Sequence, residues 1–187
     1  MKRIAPSPLA AAALAIAALA CGLVAVTAFA QQMPSGKEVV MPTAYVSAEP
    51  AARNVPFQLA VVLKIRPGFH INAREKSEAY LIATDLKADL PAGFTAGDVQ
   101  YPKGTLRNFS FSKDKPLNVY EGAATVRLPL TASSAVSLGE QHVTLKLRYQ
   151  ACSDEVCLPP VTVPVDAVVN VAASGAKPAH GEIFNQR

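Results

Sequence analysis

Hydrophobic and polar side chains alternate with a period of two along several segments of this chain. Between positions 57 and 65 every odd-numbered residue is apolar, whereas Gln58 and Lys64 are polar residues at even positions. The same alternation returns at 126–130, 143–149 and 161–171. Because successive side chains of a β-strand point to opposite faces, this pattern predicts half-buried antiparallel strands.

Turn-forming residues separate the predicted strands, and the chain shows little of the 3.6-residue periodicity of amphipathic helices. Pro67 and Gly68 end the first strand. Repeated short strands with turns between them predict an all-β chain folded as an antiparallel β-sandwich. Pro129 and Pro164 fall inside two of the strands. Since proline cannot donate a hydrogen bond to a strand ladder, we expect both at sheet edges or bulges.

The N-terminus has the three-part pattern of a secretory signal peptide. A positively charged start is followed by uncharged, mainly apolar residues at 9–29, which close on the small residues Ala28 and Ala30. We therefore predict that residues 1–30 are removed and that the mature protein is periplasmic. A retained membrane anchor and a lipoprotein cut before Cys21 are the alternatives. The lipoprotein cut would leave an apolar segment at the new N-terminus, where such proteins carry a polar tether.

Composition changes at both ends of the remaining chain. Residues 31–42 are predicted to be a loose leader, 43–171 one β-sandwich domain, and 172–187 a flexible tail. The formal net charge of the whole chain is only +4, and no cluster of Lys and Arg suggests a nucleic-acid partner. No second apolar run approaches the roughly 20 residues that span a bilayer. We therefore expect no stable membrane insertion once the signal has been cleaved.

Two cysteines remain when Cys21 leaves with the signal peptide, and they are Cys152 and Cys157. An even count in an oxidising compartment predicts one disulfide. The pair lies between two alternating segments, so the two residues should face each other across a β-hairpin loop, with Cβ atoms about 4.5–5.5 Å apart. Closing so short a loop contributes only about 2 kcal/mol of stability. Both a structural and a redox-active disulfide remain open on these grounds.

The loop between the cysteines is acidic. Asp154 and Glu155 lie in it, and no Lys, Arg or His occurs anywhere in 149–171. Nearby carboxylates disfavour a thiolate, so we expect the reduced thiols to be slow nucleophiles with a pKa above the reference value of about 8.5. The alternative is that the two carboxylates are ordinary polar residues of a turn.

Three motifs resemble one known family. They are Tyr149-Gln150-Ala151-Cys152 with Cys157-Leu158-Pro159-Pro160, Pro67-Gly68-Phe69-His70-Ile71-Asn72, and Val119-Tyr120-Glu121-Gly122. Together they are similar to the N-terminal periplasmic domain of the thiol:disulfide interchange protein DsbD, over about 44–171. The resemblance implies an immunoglobulin-like antiparallel β-sandwich that accepts electrons from a thioredoxin-like domain and reduces periplasmic proteins.

The resemblance also implies roles for single residues. Cys152 and Cys157 would be the catalytic redox pair, and Cys157 would form the mixed disulfide with a partner. The best-known members of the family have five residues between the cysteines, whereas this chain has four. Those members shield the pair with an aromatic cap loop, for which Phe109 and Phe111 are the candidates here. The two Phe residues share one parity, so they also fit a place in the core.

Tyrosines near the pair in those members correspond to His70 and Asn72 in this chain. His70 is therefore a candidate for the layer of side chains around the cysteines, or for a surface position after the Pro-Gly turn. The DsbD protein continues into a membrane-spanning electron-transfer unit and a thioredoxin-like domain, while this sequence ends at Arg187. We expect its electron partners to be separate thioredoxin-fold proteins or a DsbD-like membrane electron donor.

Two other classes of function remain as alternatives. One is a non-catalytic immunoglobulin-like binding module with a structural disulfide, and the fold itself cannot decide because it hosts both. The other is a metallochaperone of the cell envelope. Its candidate ligands show no spacing typical of a metal site, so neither metal nor cofactor is expected; they are His70, His142, His180, Met33 and Met41.

Overall fold

A computed structural model describes residues 33–112 and 115–185, and β-strands make up most of this part of the chain. The strands are β1 (Val40–Val46), β2 (Ala51–Ala52), β3 (Phe57–Ile65), β4 (His70–Asn72), β5 (Asp85–Asp89), β6 (Phe94–Ala96), β7 (Thr105–Arg107), β8 (Leu117–Tyr120), β9 (Ala123–Ala132), β10 (Gly139–Tyr149), β11 (Ala151–Cys152) and β12 (Val161–Ala172). Short 3-10 turns occupy Gly36–Glu38 and Ser110–Ser112, and helix α1 spans Gly181–Phe184. The predicted signal peptide lies outside the described residues.

Two four-stranded sheets pack face to face as a sandwich. The first has the order β1-β3-β9-β6 and the second the order β2-β12-β10-β5. All neighbours are antiparallel except the short parallel pair β2–β12. Alternate apolar residues of the long strands are buried between the sheets, among them Leu59, Leu63, Leu145 and Leu147. The predicted all-β, immunoglobulin-like sandwich is confirmed.

The two prolines that fall inside predicted strands, Pro129 and Pro164, lie where a missing N–H leaves no gap in a ladder. Strand β2 pairs with β12 only near the end of that strand, so at Pro164 this side of β12 is a sheet edge. Pro129 lies in the inner strand β9, opposite a β-bulge. Between the paired positions Ala96 and Gln100 the chain has one residue more than β9 has between their partners. The predicted edge or bulge is therefore confirmed for both.

The two ends of the domain depart from the predicted boundaries. Strand β1 begins at Val40, so the last three residues assigned to the leader 31–42 belong to the sandwich. At the other end, β12 continues to Ala172, the first residue of the predicted tail. Further along, Ala179 N donates a hydrogen bond to Ser47 O at 2.9 Å. The predicted tail is thus attached to the rest of the domain at Ala179, and its flexibility stays a prediction. In the part of the chain that the structure describes, no helix is long and apolar enough to cross a membrane.

A third sheet, with the order β11-β4-β8-β7, positions the two cysteines. Ile71 of β4 and Ala151 of β11 pair with each other and belong to the main core. Alternation therefore places the next pair, His70 and Cys152, on the opposite face, which we call the site face. A separate apolar cluster covers the site face; it consists of Leu81, Phe109, Leu117 and Val119.

Candidate functional site

Cys152 and Cys157 form a disulfide within a small hairpin at the tip of the β10–β12 pair. Their Cα atoms are 4.0 Å apart, and the two residues bridge as antiparallel neighbours. Inside the loop, Ser153 N donates a hydrogen bond to Val156 O at 2.9 Å. The predicted disulfide and its position across a hairpin loop are confirmed.

Side-chain hydrogen bonds also hold the shape of the loop. Ser153 Oγ accepts hydrogen bonds from the N–H groups of Glu155 and Val156, both at 3.2 Å. Gln150 Nε2 donates to Leu158 O at 3.3 Å, while Gln150 Oε1 accepts a bond of 3.4 Å from the segment before β5. The sequence analysis assigns no role to Gln150, because no local pattern shows that its amide joins two segments. Contacts other than the disulfide therefore hold the loop in place.

The two cysteines differ in exposure. Cys152 lies on the site face and is 1% exposed, whereas Cys157 is exposed at the surface. A thiolate of another protein can approach Cys157 from solvent, but it can approach Cys152 only after the site face has been uncovered. Which sulfur reacts with a partner stays a prediction, and the difference in exposure favours Cys157.

His70 is buried directly opposite Cys152. The two residues pair across β4 and β11, and His70 is 1% exposed, so it is not a surface residue. Burial lowers the pKa of His70 from 6.5 to about 4; the Asp154 carboxylate acts in the opposite direction, and Arg107 lowers the pKa further. The imidazole is therefore neutral at neutral pH, and its Nε2 atom has no hydrogen-bond partner.

Residues 109–112, which we call the cap segment, lie over His70. The ring of Phe109 stacks on the imidazole with centroids 3.9 Å apart, and Phe111 stacks on Phe109 at 5.6 Å. Phe109 is 7% exposed and Phe111 is 43% exposed, so the first is an interior side chain and the second an outer layer. Ser110 Oγ donates a hydrogen bond of 2.5 Å to the backbone oxygen of Asp154, which ties the cap segment to the disulfide loop.

Basic side chains from other parts of the chain lie beside the acidic loop. A cavity of about 220 Å³ is lined by residues that include Arg66, Arg107, His70 and Asp154. Although no cation lies near the loop in the sequence, two arginines lie near it in the folded protein. Strand β7 and the turn after β3 bring them to the site. Asp154 lines this cavity, whereas Glu155 does not. The two carboxylates that look equivalent in the sequence thus have different surroundings.

Comparison with protein families identifies the arrangement. The model of the family "Thiol:disulfide interchange protein DsbD, N-terminal" matches residues 37–168, which include most of the sandwich and the whole disulfide loop. This chain belongs to the DsbD N-terminal domain family. Domains of this DsbD family are periplasmic and interact with thioredoxin-like proteins. Family membership and the Cys152–Cys157 disulfide together place the chain among the thiol–disulfide interchange proteins.

The matches among solved structures include two different proteins. The reduced DsbD N-terminal domain of Neisseria meningitidis is 22% identical, with a TM-score of 0.47 over 80% of this chain and 97% of that chain. AggA, the major subunit of aggregative adherence fimbriae type I from Escherichia coli, is 9% identical, with a TM-score of 0.29 over 71% of this chain and 95% of that chain. No curated protein matches this chain.

Proposed function

We propose that this protein is a periplasmic thiol–disulfide exchange protein that passes reducing equivalents between thioredoxin-like partners and substrate proteins through Cys152 and Cys157. The proposal rests above all on an exposed Cys157 joined to a buried Cys152 in a loop that other hydrogen bonds already hold. A disulfide that served stability alone would gain more by joining segments that are distant in sequence. An exposed sulfur at the tip of a hairpin instead suits attack by a second protein.

Reduction begins when a thiolate of a thioredoxin-like partner attacks Sγ of Cys157. A bond forms between the two proteins, the Cys152–Cys157 bond breaks, and Cys152 leaves with the electron pair and takes up a proton. The partner's second thiolate then attacks its own bridged sulfur, and Cys157 leaves with that electron pair and takes up a second proton. Two electrons have then passed from the partner, now a disulfide, to the pair.

Delivery to a substrate runs in the reverse sense. The Cys157 thiolate attacks a substrate disulfide and forms a mixed disulfide, and one substrate sulfur leaves as a thiolate. Cys152 then attacks Cys157, which restores the original disulfide and releases the second substrate sulfur. Cys152 has to reach only its neighbour, whose Cα lies 4.0 Å away in the oxidised protein. Its burial is therefore compatible with this second step.

The cap segment provides selectivity in this scheme. Phe109 covers His70 on the site face, and Phe111 adds a second ring outside it. A small molecule can meet the exposed Cys157 without touching these rings, whereas a docking protein can replace their contacts with its own and so uncover the buried Cys152. The hydrogen bond from Ser110 to Asp154 would have to break if the cap segment moved away from the loop. Phe109 is accordingly the inner cap residue and Phe111 the outer one.

The proposed place of action depends on export. The family is periplasmic, and the predicted cleavage after Ala30 would give a mature protein that begins at Gln31. Mass spectrometry of the protein from the periplasmic fraction should find this N-terminus. A chain that keeps Met1 in the membrane fraction, or a lipid on Cys21, would show that one of the two alternative forms of anchoring is correct.

Partner trapping tests the function directly. A Cys152→Ser variant cannot resolve a mixed disulfide, so it should capture a thioredoxin-fold protein or a DsbD-like membrane electron donor through Cys157. The matched control, Cys157→Ser, should capture far less because its remaining thiol is buried. If neither variant captures a thiol partner and the pair has a potential below about −300 mV, the binding module with a structural disulfide is the better description.

A further inference from the structure

Unpartnered polar atoms collect on the site face. Among the described residues, three buried side-chain polar atoms lack a hydrogen-bond partner, namely Arg53 Nε, His70 Nε2 and Asn72 Oδ1. His70 and Asn72 both belong to β4 and, two residues apart, point to the same face as Cys152. Buried polar groups without partners are rare and destabilising, and they call for a specific explanation. The disulfide is the chemical group beside them that can change.

Disulfide and dithiol differ in what they offer to a neighbouring hydrogen-bonding atom. A disulfide sulfur carries no hydrogen and is a poor acceptor, whereas a thiol donates through S–H and a thiolate accepts strongly. His70 lies opposite Cys152, where the Cβ atoms of a cross-strand pair are about 4.5–5.5 Å apart. Both side chains are 1% exposed, so neither has water as an alternative partner.

We propose that His70 is the hydrogen-bond partner of the Cys152 sulfur in the reduced protein and that it stabilises the reduced state over the disulfide. Reduction breaks the Sγ–Sγ bond, and two electrons and two protons from the reductant convert both residues to thiols. The Cys152 S–H then donates to the lone pair of Nε2 when the imidazole carries its proton on Nδ1. If Cys152 is instead a thiolate, Nε2–H donates to its sulfur. In either form Nε2 gains a partner that the oxidised protein does not provide.

The cap segment supports this role because it fixes the ring. Phe109 stacks on the imidazole at 3.9 Å with an angle of 17° between the planes. A stacked and buried ring cannot rotate towards solvent to satisfy Nε2 there. His70 therefore remains without a partner in the oxidised protein and has one when Cys152 is reduced. The inference rests on the proposed function and deepens it, because a stabilised reduced state makes the pair easier for a partner to reduce.

The redox equilibrium with glutathione measures the effect. His70→Phe keeps a flat ring for Phe109 but removes the hydrogen bond, so the equilibrium constant for reduction should fall about tenfold, which corresponds to about 30 mV. His70→Gln, which places an amide near the position of Nε2, should recover most of the difference. His142→Phe, on an exposed position of β10, is the control and should leave the equilibrium unchanged. An unchanged equilibrium in His70→Phe, or equal shifts in the Phe and Gln variants, would overturn the proposal.

A second measurement needs no substitution. In wild-type protein with ¹⁵N-labelled histidine, the Nε2 resonance of His70 should shift on reduction by dithiothreitol, while those of His142 and His180 should not. A His70 resonance that is the same in both states would contradict the proposal even if the variants failed to fold. Neither experiment requires a protein partner. Failure of partner trapping with a positive result here would refute the exchange function alone, and the opposite outcome would refute only the role of His70.

Discussion

The sandwich core and the site face both bury side chains, but the buried side chains serve different purposes. In the core, leucines and valines of the long strands are wholly enclosed between two sheets. Among the described residues, none of the three buried side-chain atoms without a hydrogen-bond partner belongs to a residue of this core. On the site face a histidine and an asparagine are enclosed with atoms unpartnered, beside a disulfide and under an aromatic cap. The first region provides stability that the second does not, and the second provides a group whose bonding can change. The following predictions test that division.

The largest effect should come from the core. Leu145 is fully buried between the sheets, and Leu145→Ala should lower the free energy of unfolding by about 3–4 kcal/mol through lost burial and a residual cavity. Urea unfolding of the oxidised protein measures this loss. The redox equilibrium of the same variant with glutathione should be that of the wild type. A shift in that equilibrium would show that the two regions are coupled.

Acid should destabilise the protein through the site face. The pKa of His70 is about 4 in the folded protein and 6.5 as a reference, so as the pH falls the unfolded chain takes up the proton first. The free energy of unfolding should therefore drop between about pH 6.5 and pH 4, by about 3 kcal/mol at the lower limit. Asp154 opposes the lowered pKa and Arg107 reinforces it. His70→Phe should lack this contribution. Unfolding curves of both proteins at pH 7 and pH 4 would then show that the difference between their free energies of unfolding changes with pH.

Loss of the disulfide should be milder. Replacing both Cys152 and Cys157 by Ser should lower the free energy of unfolding by about 2 kcal/mol, because the bond closes only a short loop. The bonds made by Ser153 and Gln150 remain to hold that loop. Thermal unfolding should stay cooperative. A double variant that is unfolded at room temperature would show that the disulfide is needed for stability, as the structural interpretation of the pair requires.

The smallest effect separates the two acidic residues of the loop. Asp154→Asn should speed alkylation of the reduced protein by iodoacetamide at pH 7, by at most about fivefold, because a carboxylate near the thiols disfavours the reactive thiolate. Glu155→Gln should change the rate less, since Glu155 does not line the cavity that Asp154 shares with His70 and Arg107. Arg107→Met should slow the reaction. Rates that do not respond to any of the three changes would remove electrostatics from the account of the site.

The long strands could be predicted from the sequence because each repeats its alternation many times. Strands β3, β9, β10 and β12 all lie where period two predicts them. The third sheet could not be predicted in this way, because β4, β7 and β11 have only two or three residues each, too few to show a period. The motifs that resemble the family located the cysteines without showing what surrounds them.

The contents of the site depend on pairing between segments that are distant in sequence. The sequence makes His70 a candidate either for the layer of side chains around the cysteines or for a surface position. The pairing of β4 with β11 makes it the neighbour of Cys152. Arg107 lines the same cavity as Asp154 for a similar reason, through the pairing of β7 with β8 in the same sheet. Phe109 and Phe111 have the same parity in sequence. The short 3-10 turn Ser110–Ser112, which follows Phe109 and contains Phe111, gives the first an interior and the second an exposed position.

The register of the β10–β12 hairpin has a consequence for how such proteins diverge. The two strands pair continuously from Gly139 with Val171 to Tyr149 with Val161, and the disulfide loop begins only beyond the last pair. A residue added or removed between the cysteines therefore alters the tip and leaves every pair of the sandwich in place. The four-residue spacing here and the five-residue spacing that the resemblance implies for the best-known family members are thus both compatible with this register. The surface shown to a partner can change in evolution while the scaffold that carries it is inherited intact.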